Sequence, residues 1–512
     1  MRHHPFTKLA SLLVVCLMTF SSAAFAEDAE IVTLVKNMQK QMSDLQSMVM
    51  SQKAEIQELK SRGAQIRMAP SGVEATPPMS EAEFKQRLTD ATGGADKWLK
   101  DLKFSGDIRL RYEAFHLHGN TAANGYQSER NRFRFRLRFG FEKKFNDQIK
   151  AGFGLASGSS TSASGNTDPI STNQTFGNDF TFKNIWIEKA YVTYTPDWSK
   201  ATFSDDYGLR SDGLEITAGK FTNPFEKGST DMIWDRDLKP EGIYEKIEGQ
   251  LLKTDNLTLK AYGLLGQFVL QENGNTVAAA GVGGKDAQLF AYQVGLNPIF
   301  YVPGMERPVD ALSALSIYNY QGYATNNNWY AYASGTGAFN NGNPINPGNA
   351  SDLAAQNFNI LSFYQEVNFY PHGIPVKPFA EFARNMSNQS GLAGWAKSTN
   401  YAMQGGEYAW SLGLALGKLQ KKGDWQATYQ YKYIGANSVP GAFNDSDFGG
   451  YNYGGTDKAG NVIKLGYNLT DYLTLNGACY LVRPITQRNG TTNGMQPDQS
   501  VRRFQIDMTY KF

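Results

Sequence analysis

Residues 130–145 read RNRFRFRLRFGFEKKF. Arginine stands at 130, 132, 134, 136 and 138; Phe133, Phe135, Leu137, Phe139 and Phe141 stand between and just after them. Side chains of a strand alternate between two faces with period 2, so as a strand this segment has an arginine face and a hydrocarbon face. As a helix it would scatter arginine around the cylinder and leave no apolar stripe. The segment is therefore a strand whose two faces meet different solvents. Either a core lies on one side and bulk water on the other, or lipid lies on one side and a water-filled lumen on the other. The rest of the chain decides between them.

No apolar run of about 20 residues occurs beyond the N-terminus, so the mature chain has no transmembrane helix and a closed barrel is its only way to cross a membrane. The formal net charge of +2 falls to zero without Arg2 and Lys8, which argues against nucleic acid as a partner. Residues 1–26 have a basic start, an apolar stretch and an Ala24-Phe25-Ala26 end, the pattern of a secretory signal peptide. Cys16 lies inside that stretch, so Cys479 is the only mature cysteine and no intramolecular disulfide is available.

Residues 27–62 form a separate module. Val35, Met42, Val49 and Ile56 interleave with Ile31, Met38, Leu45, Gln52 and Leu59 at alternating spacings of four and three. This is the seam of an α-helical coiled coil, broken only at Gln52; an amphipathic helix lying on another surface is the alternative. Pro70, Pro77 and Pro78 make 63–103 a linker with a short helix around 80–92.

From 104 to 512 the text becomes alternating segments separated by polar loops. Strands are expected near 104–115, 130–142, 148–156, 183–195, 213–222, 242–253, 256–271, 287–297 and 312–323. Seven more follow near 358–370, 375–385, 407–418, 423–434, 461–469, 471–482 and 501–512. The fold class is thus all-β: a transmembrane antiparallel β-barrel of about 16 strands, preceded by the N-terminal coiled coil. Connections tend to alternate long and short. HLHGNTAANGYQSE (116–129) and the 24-residue run from Ser157 are long, whereas KKFND (143–147), TDN (254–256) and LQKKGD (419–424) are short. Only 196–212 and 298–311 break the rule. Long loops at one end and tight turns at the other are the asymmetry of an outer-membrane barrel with its turns in the periplasm.

The last strand, VRRFQIDMTYKF (501–512), alternates Phe504, Ile506, Met508, Tyr510 and Phe512 with Arg503, Gln505, Asp507, Thr509 and Lys511, and ends on an aromatic carboxylate. With the signal peptide, the heptad helix and the run AGKFTNPF…MIWDRDLKPEG (218–242), this ending resembles the bacterial porins, in particular the "putative porin" family related to the phosphate-selective porins. The resemblance covers nearly all of the mature chain. It implies a homotrimeric channel in the outer membrane of a Gram-negative bacterium, with its N-terminal helix in the periplasm and its third long loop folded inward. It implies neither an enzyme nor a cofactor. Phosphate-selective members are expected to carry lysine-rich lumens where this chain has an arginine ladder.

In a barrel the phenylalanines of 133–141 face outer-membrane lipid and Arg132, Arg134, Arg136 and Arg138 line the lumen, because each arginine turned to lipid at mid-membrane would cost about 2–4 kcal/mol. The preceding strand adds Arg109 and Arg111 as pore-lining residues, with Asp107 and Glu113 beside them. The loop 223–241 carries Asp231, Asp235, Arg236, Asp237, Lys239 and Glu241, the candidate constriction. A basic wall opposite an acidic loop creates a transverse field, and rows of basic residues favour anions. The competing reading of the ladder is that its arginines pair with Asp107, Glu113 and Glu142 and fill space.

The expected function is passive diffusion of small hydrophilic solutes, leaning towards anions. An enzyme would need a nucleophile with a general base. The mature histidines, His116, His118 and His372, suggest no such cluster, and His116-x-His118 alone supplies too few ligands for a metal. The alternative is an envelope tether whose coiled coil binds peptidoglycan or an S-layer. A sugar channel with an aromatic slide is also conceivable, but interfacial girdles account for most of the tyrosine and tryptophan.

Overall fold

The computed structural model describes residues 101–119, 129–158, 168–177, 179–272, 286–322, 339–340, 343–344, 358–387, 406–449, 455–485 and 499–512. The signal peptide at 1–26, the heptad helix at 27–62 and all but the end of the linker at 63–103 lie outside the described residues.

Among the described residues, eighteen strands join one sheet. Two are short pieces, Gln174–Thr175 and Ala201–Ser204; the other sixteen form the wall. They are β1 Leu102–Gly119, β2 Glu129–Lys144, β3 Ile149–Ser157, β4 Ile185–Tyr194, β5 Leu209–Lys220 and β6 Glu241–Lys253. Next come β7 Leu257–Gln271, β8 Ala287–Phe300, β9 Val309–Gln321, β10 Phe358–Asn368 and β11 Val376–Asn385. The last are β12 Tyr408–Gly417, β13 Trp425–Ile434, β14 Lys458–Asn468, β15 Leu473–Pro484 and β16 Gln499–Lys511. Every strand pairs antiparallel with its sequence neighbour, and β16 returns to β1 from Asp107↔Lys511 to Gly119↔Gln499. The ring closes, so no strand edge is left open.

Both expected exceptions to the loop rule have local causes. At 195–208 the strand Ala201–Ser204 folds back on the start of β5, so the long connection is a small hairpin. At 298–311 the strands are longer than the sequence implies. Pro298 lacks an N–H, and the β8–β9 register skips from Leu296↔Ser313 to Ile299↔Asp310 before resuming in phase. The imperfect alternation of 183–195 is a bulge: Gly154 faces Lys189 while Leu155 faces Ile187, leaving Glu188 as the extra residue. Ile185 and Ile187 therefore point outward before it, and Val192 and Tyr194 after it.

Across the ring the outward face is apolar. Phe133, Leu265, Val294, Leu412, Leu465 and Ile506 are each more than half exposed. Trp198, Tyr207, Tyr301, Trp425, Tyr472 and Phe512 crown the short-turn end, as interfacial aromatics do. The side chains of Arg109, Arg111, Arg132, Arg134, Arg136 and Arg138 face inward at 5–18% exposure.

The interior is divided. Between β5 and β6 the chain turns into the barrel from a pair of facing glycines, Gly219 and Gly242, whose φ of 121° and 146° suits no other residue well. The loop 221–240 buries Phe225, Met232, Ile233 and Trp234 against inward aromatics of the β6–β10 wall. Phe225 meets Phe268 and Tyr318 edge-on, and Trp234 meets Tyr318 with ring centroids 5.2 Å apart. This apolar half leaves the opposite wall, β13–β16 with β1 and β2, as the polar side.

Candidate functional site

The strand register sets the chemistry of the polar wall. On β1 and β2, Arg109 faces Arg136 and Arg111 faces Arg134. Like charges directly opposite repel, so each must find a carboxylate. Glu113, fully buried, accepts from Arg132, from Arg503 and, at 2.9 Å, from Gln505; Arg111 and Arg134 lie 3.8 and 3.9 Å from it. Asp107 takes Arg136 at 2.6 and 2.8 Å. Asp507 of β16 receives a two-pronged contact from Arg111 at 2.7 and 2.8 Å.

Two loops supply the remaining counter-charges. Asp237, in the inward loop between β5 and β6, takes Arg138 at 2.5 Å and Arg136 at 3.9 Å. Asp447, in the loop between β13 and β14, takes Arg503 at 2.6 Å and Arg111 at 3.2 Å. The two loops also bind one another. Asp235 N–H donates to the Phe443 carbonyl at 2.7 Å, Asp445 N–H to the Asp231 carbonyl at 2.9 Å, and Ser446 N–H to the Asp235 carboxylate at 2.9 Å. Lys432, fully buried, bridges them through Asp231 at 2.7 Å and Asp445 at 2.6 Å. On the far wall Glu381 of β11 accepts from Ser229 Oγ at 2.9 Å, Thr230 N–H at 2.8 Å, Thr230 Oγ1 at 2.5 Å and Ser362 Oγ at 2.9 Å. The β5–β6 loop therefore crosses the lumen and is fastened on both sides.

Burial pushes the Asp235 carboxyl well above the usual carboxylate range, and the neighbouring Asp237 and Asp445 add to the rise. Burial would raise Asp231 as well, but Lys432 and Lys464 outweigh it and hold that carboxyl well below the ordinary range.

Next to the seam of the two loops lies a cavity of about 490 Å³. Among its lining residues are Arg109, Arg111, Arg136, Arg138, Asp231, Asp235, Arg236 and Asp237, joined by Asp447, Lys464 and Lys511. None of its carboxylates is more than 21% exposed. Its exposed charges are cations: Arg236, which makes no ion pair among the described residues, Lys464, whose side chain is 42% exposed, and Lys511.

The family model described as "Putative porin" matches residues 118–343 and 339–512, most of the chain. The chain belongs to this family of bacterial porins.

No curated protein matches this porin. Many solved structures resemble it, three of which illustrate the likeness. OprB of Pseudomonas putida, solved at high pH, is 12% identical, with 83% of this chain and 97% of that one covered and a TM-score of 0.41. OmpF of Salmonella typhi, in complex with daunomycin, is 8% identical, with coverage of 80% and 97% and a TM-score of 0.37. An anion-selective porin from Comamonas acidovorans is 11% identical, with coverage of 80% and 99% and a TM-score of 0.36.

The residues expected to form one site in this porin divide into groups. Arg132 and Arg134 pack against Glu113 and do not line the cavity. Lys239 Nζ donates to the Arg236 carbonyl at 2.7 Å and closes its own loop. Glu241 begins β6, is exposed and pairs with Lys220 at 2.7 Å. Glu142, expected among the partners of the arginines, takes Lys150 at 3.6 Å and the Tyr191 hydroxyl at 2.9 Å instead. Sequence reasoning missed Asp445, Asp447, Lys432 and Lys464. The loop holding the two aspartates has no periodicity, and an isolated inward lysine has the same period-2 signature as any other inward residue.

Proposed function

We propose that this outer-membrane porin is a passive diffusion channel for small hydrophilic solutes and favours anions. One observation carries the reading: on the cavity wall the carboxylates are sequestered beneath guanidinium and ammonium groups, while Arg236 and Lys511 stand exposed and Lys464, paired with Asp231 at 3.4 Å, keeps 42% of its side chain open. A solute at this wall meets positive charge first, and such rows favour anions. The test is the reversal potential across a KCl gradient in a planar bilayer. The wild type is expected to be anion-selective, and Arg236→Gln with Lys464→Gln is expected to shift towards cations. An unchanged reversal potential in the double variant would refute the preference and leave a non-selective channel.

A homotrimer, implied by the family resemblance, also has support on the outer wall. Glu245 lies on the outward face of β6, opposite Ile216 on one side and Leu265 on the other, and makes no ion pair among the described residues. An unpaired carboxylate facing acyl chains is costly, so this wall is suited to a neighbouring copy. Light scattering of the detergent-solubilised porin checks the trimer, and a monomeric mass in mild detergent counts against it.

A further inference from the structure

The cavity has a second wall, built differently from the arginine ladder. It is formed by β13–β15, where Thr428 faces Lys464 in one row and Gly466 stands between Gln426 and Asn476 in the next. Adjacent strands lie about 4.8 Å apart, so the two amide-bearing residues are roughly 10 Å apart across the glycine. That gap has an apolar floor. Leu419, from the short turn between β12 and β13, reaches over it: a Cβ on Gly466 would meet Leu419 Cδ1 at 2.5 Å and Asn476 Oδ1 at 2.9 Å. Lys464 lies two residues away on the same face of β14, roughly 7 Å along the strand.

These groups are available to a solute. The side chains of Asn476 and Thr428 make no hydrogen bond among the described residues, and Gln426 makes one, a 3.5 Å contact from Nε2 to the Gly417 carbonyl. Lys464 meets Asp231 at 3.4 Å, yet 42% of its side chain stays open. Asp507, the carboxylate opposite Asn476 on β16, is already held by Arg111 at 2.7 Å.

Each group has a chemical counterpart. An ammonium is a compact point charge suited to a single carboxylate. A primary amide both donates and accepts, as solute hydroxyls require. The Leu419 methyls offer an apolar surface to the C–H face of a ring. A six-membered ring with hydroxyls at its edge fits between the two amides and leaves a carboxylate for Lys464.

We propose that Lys464, Gln426 and Asn476, with Leu419 beneath them, form a subsite for a sugar acid: a pyranose ring bearing one carboxylate. The proposal rests on the anion preference inferred above and narrows it to a substrate class. Gln426 and Asn476 are only half-buried, so without a solute their amides turn to water. Discrimination against a ring without hydroxyls is therefore modest; a fully buried pair would reject it far more strongly.

The test is block of chloride current through the full chain in a planar bilayer. The probes are glucuronate; cyclohexanecarboxylate, which has the same ring size and charge but no hydroxyls; and glucose, which lacks the charge. The wild type is expected to be half-blocked by glucuronate at about one-tenth of the concentration needed for either other probe. Gln426→Ala with Asn476→Ala is expected to bring the two anions within about two-fold of each other, and Lys464→Gln to weaken block by both. Equal block by glucuronate and cyclohexanecarboxylate, equal block by glucuronate and glucose, or an unchanged ratio in the double variant would overturn the proposal. The two anions carry the same charge, so equal block by them leaves the anion preference standing, and the KCl reversal potential reads that preference separately. Heat-modifiable gel migration confirms that each variant is a folded barrel.

Discussion

Arg111 and Asp507, far apart in sequence, are joined by two hydrogen bonds of 2.7 and 2.8 Å because β16 closes the ring against β1. The arginine ladder is therefore neutralised in two ways: Asp107 and Glu113 of β1 serve Arg132, Arg134 and Arg136, while the closing strand and the inward loops serve Arg109, Arg111 and Arg138. This places the weak points of the channel at carboxylates and leaves its accessible charge to a few cations.

Glu113 is the most heavily shared of those carboxylates. Glu113→Gln leaves Arg132 and Arg503 without their closest counter-charge in a buried site, and breaking such a cluster costs about 3–5 kcal/mol. The midpoint for loss of the folded, heat-resistant gel species is expected to fall sharply. Glu142→Gln, which loses a half-exposed pair with Lys150, is expected to change stability by about 1 kcal/mol or less.

Asp447 covers two arginines on the cavity side. Asp447→Asn uncovers Arg111 and Arg503 and is expected to move the reversal potential further towards anions, opposite to the shift for Arg236→Gln. An equal effect on anion and cation permeability would show that the aspartate acts only through loop position.

Glu381 fastens the inward loop by accepting four hydrogen bonds. Glu381→Gln turns an amide N–H₂ towards hydroxyl and backbone donors, and each buried donor left unsatisfied costs about 1–3 kcal/mol. The loop is expected to detach from β11, giving noisier and larger single-channel currents while the barrel stays folded.

Asp235 makes the seam between the two inward loops pH-sensitive. Its carboxyl is raised in the folded protein, first by burial and then by Asp237 and Asp445, above the ordinary 3.8. Between those two values the folded state binds more protons than the unfolded state, so stability falls as pH rises. The seam is therefore tightest at acid pH and loosens above about 4. Thermal midpoints measured against pH are expected to decline less steeply for Asp235→Asn than for the wild type, with a constant offset for the lost second acceptor.

Much of the barrel is legible in the chain's own alternation. Period 2 is a local property of each strand, so 130–141 announces an apolar and a charged face unaided, the rest of the chain identifies them as lipid and lumen, and the expected strand positions fall close to the observed ones. The bulge at Glu188 escapes because one inserted residue reverses the phase midway, which reads as noise in a short window. The continuation of β8 through Pro298 escapes because proline signals a strand end.

What the sequence by itself determined is which side of an unbulged strand meets hydrocarbon, because between bulges a side chain's face depends only on its parity along the chain. What only the tertiary structure decided is which charges remain available. Arg111 lies held by Asp507 and Asp447 while Arg236 stands exposed, because the closing strand and the loop between β13 and β14 reach the ladder only once the ring is shut. Such pairings follow from closure and from loops without any period, so no local pattern encodes them.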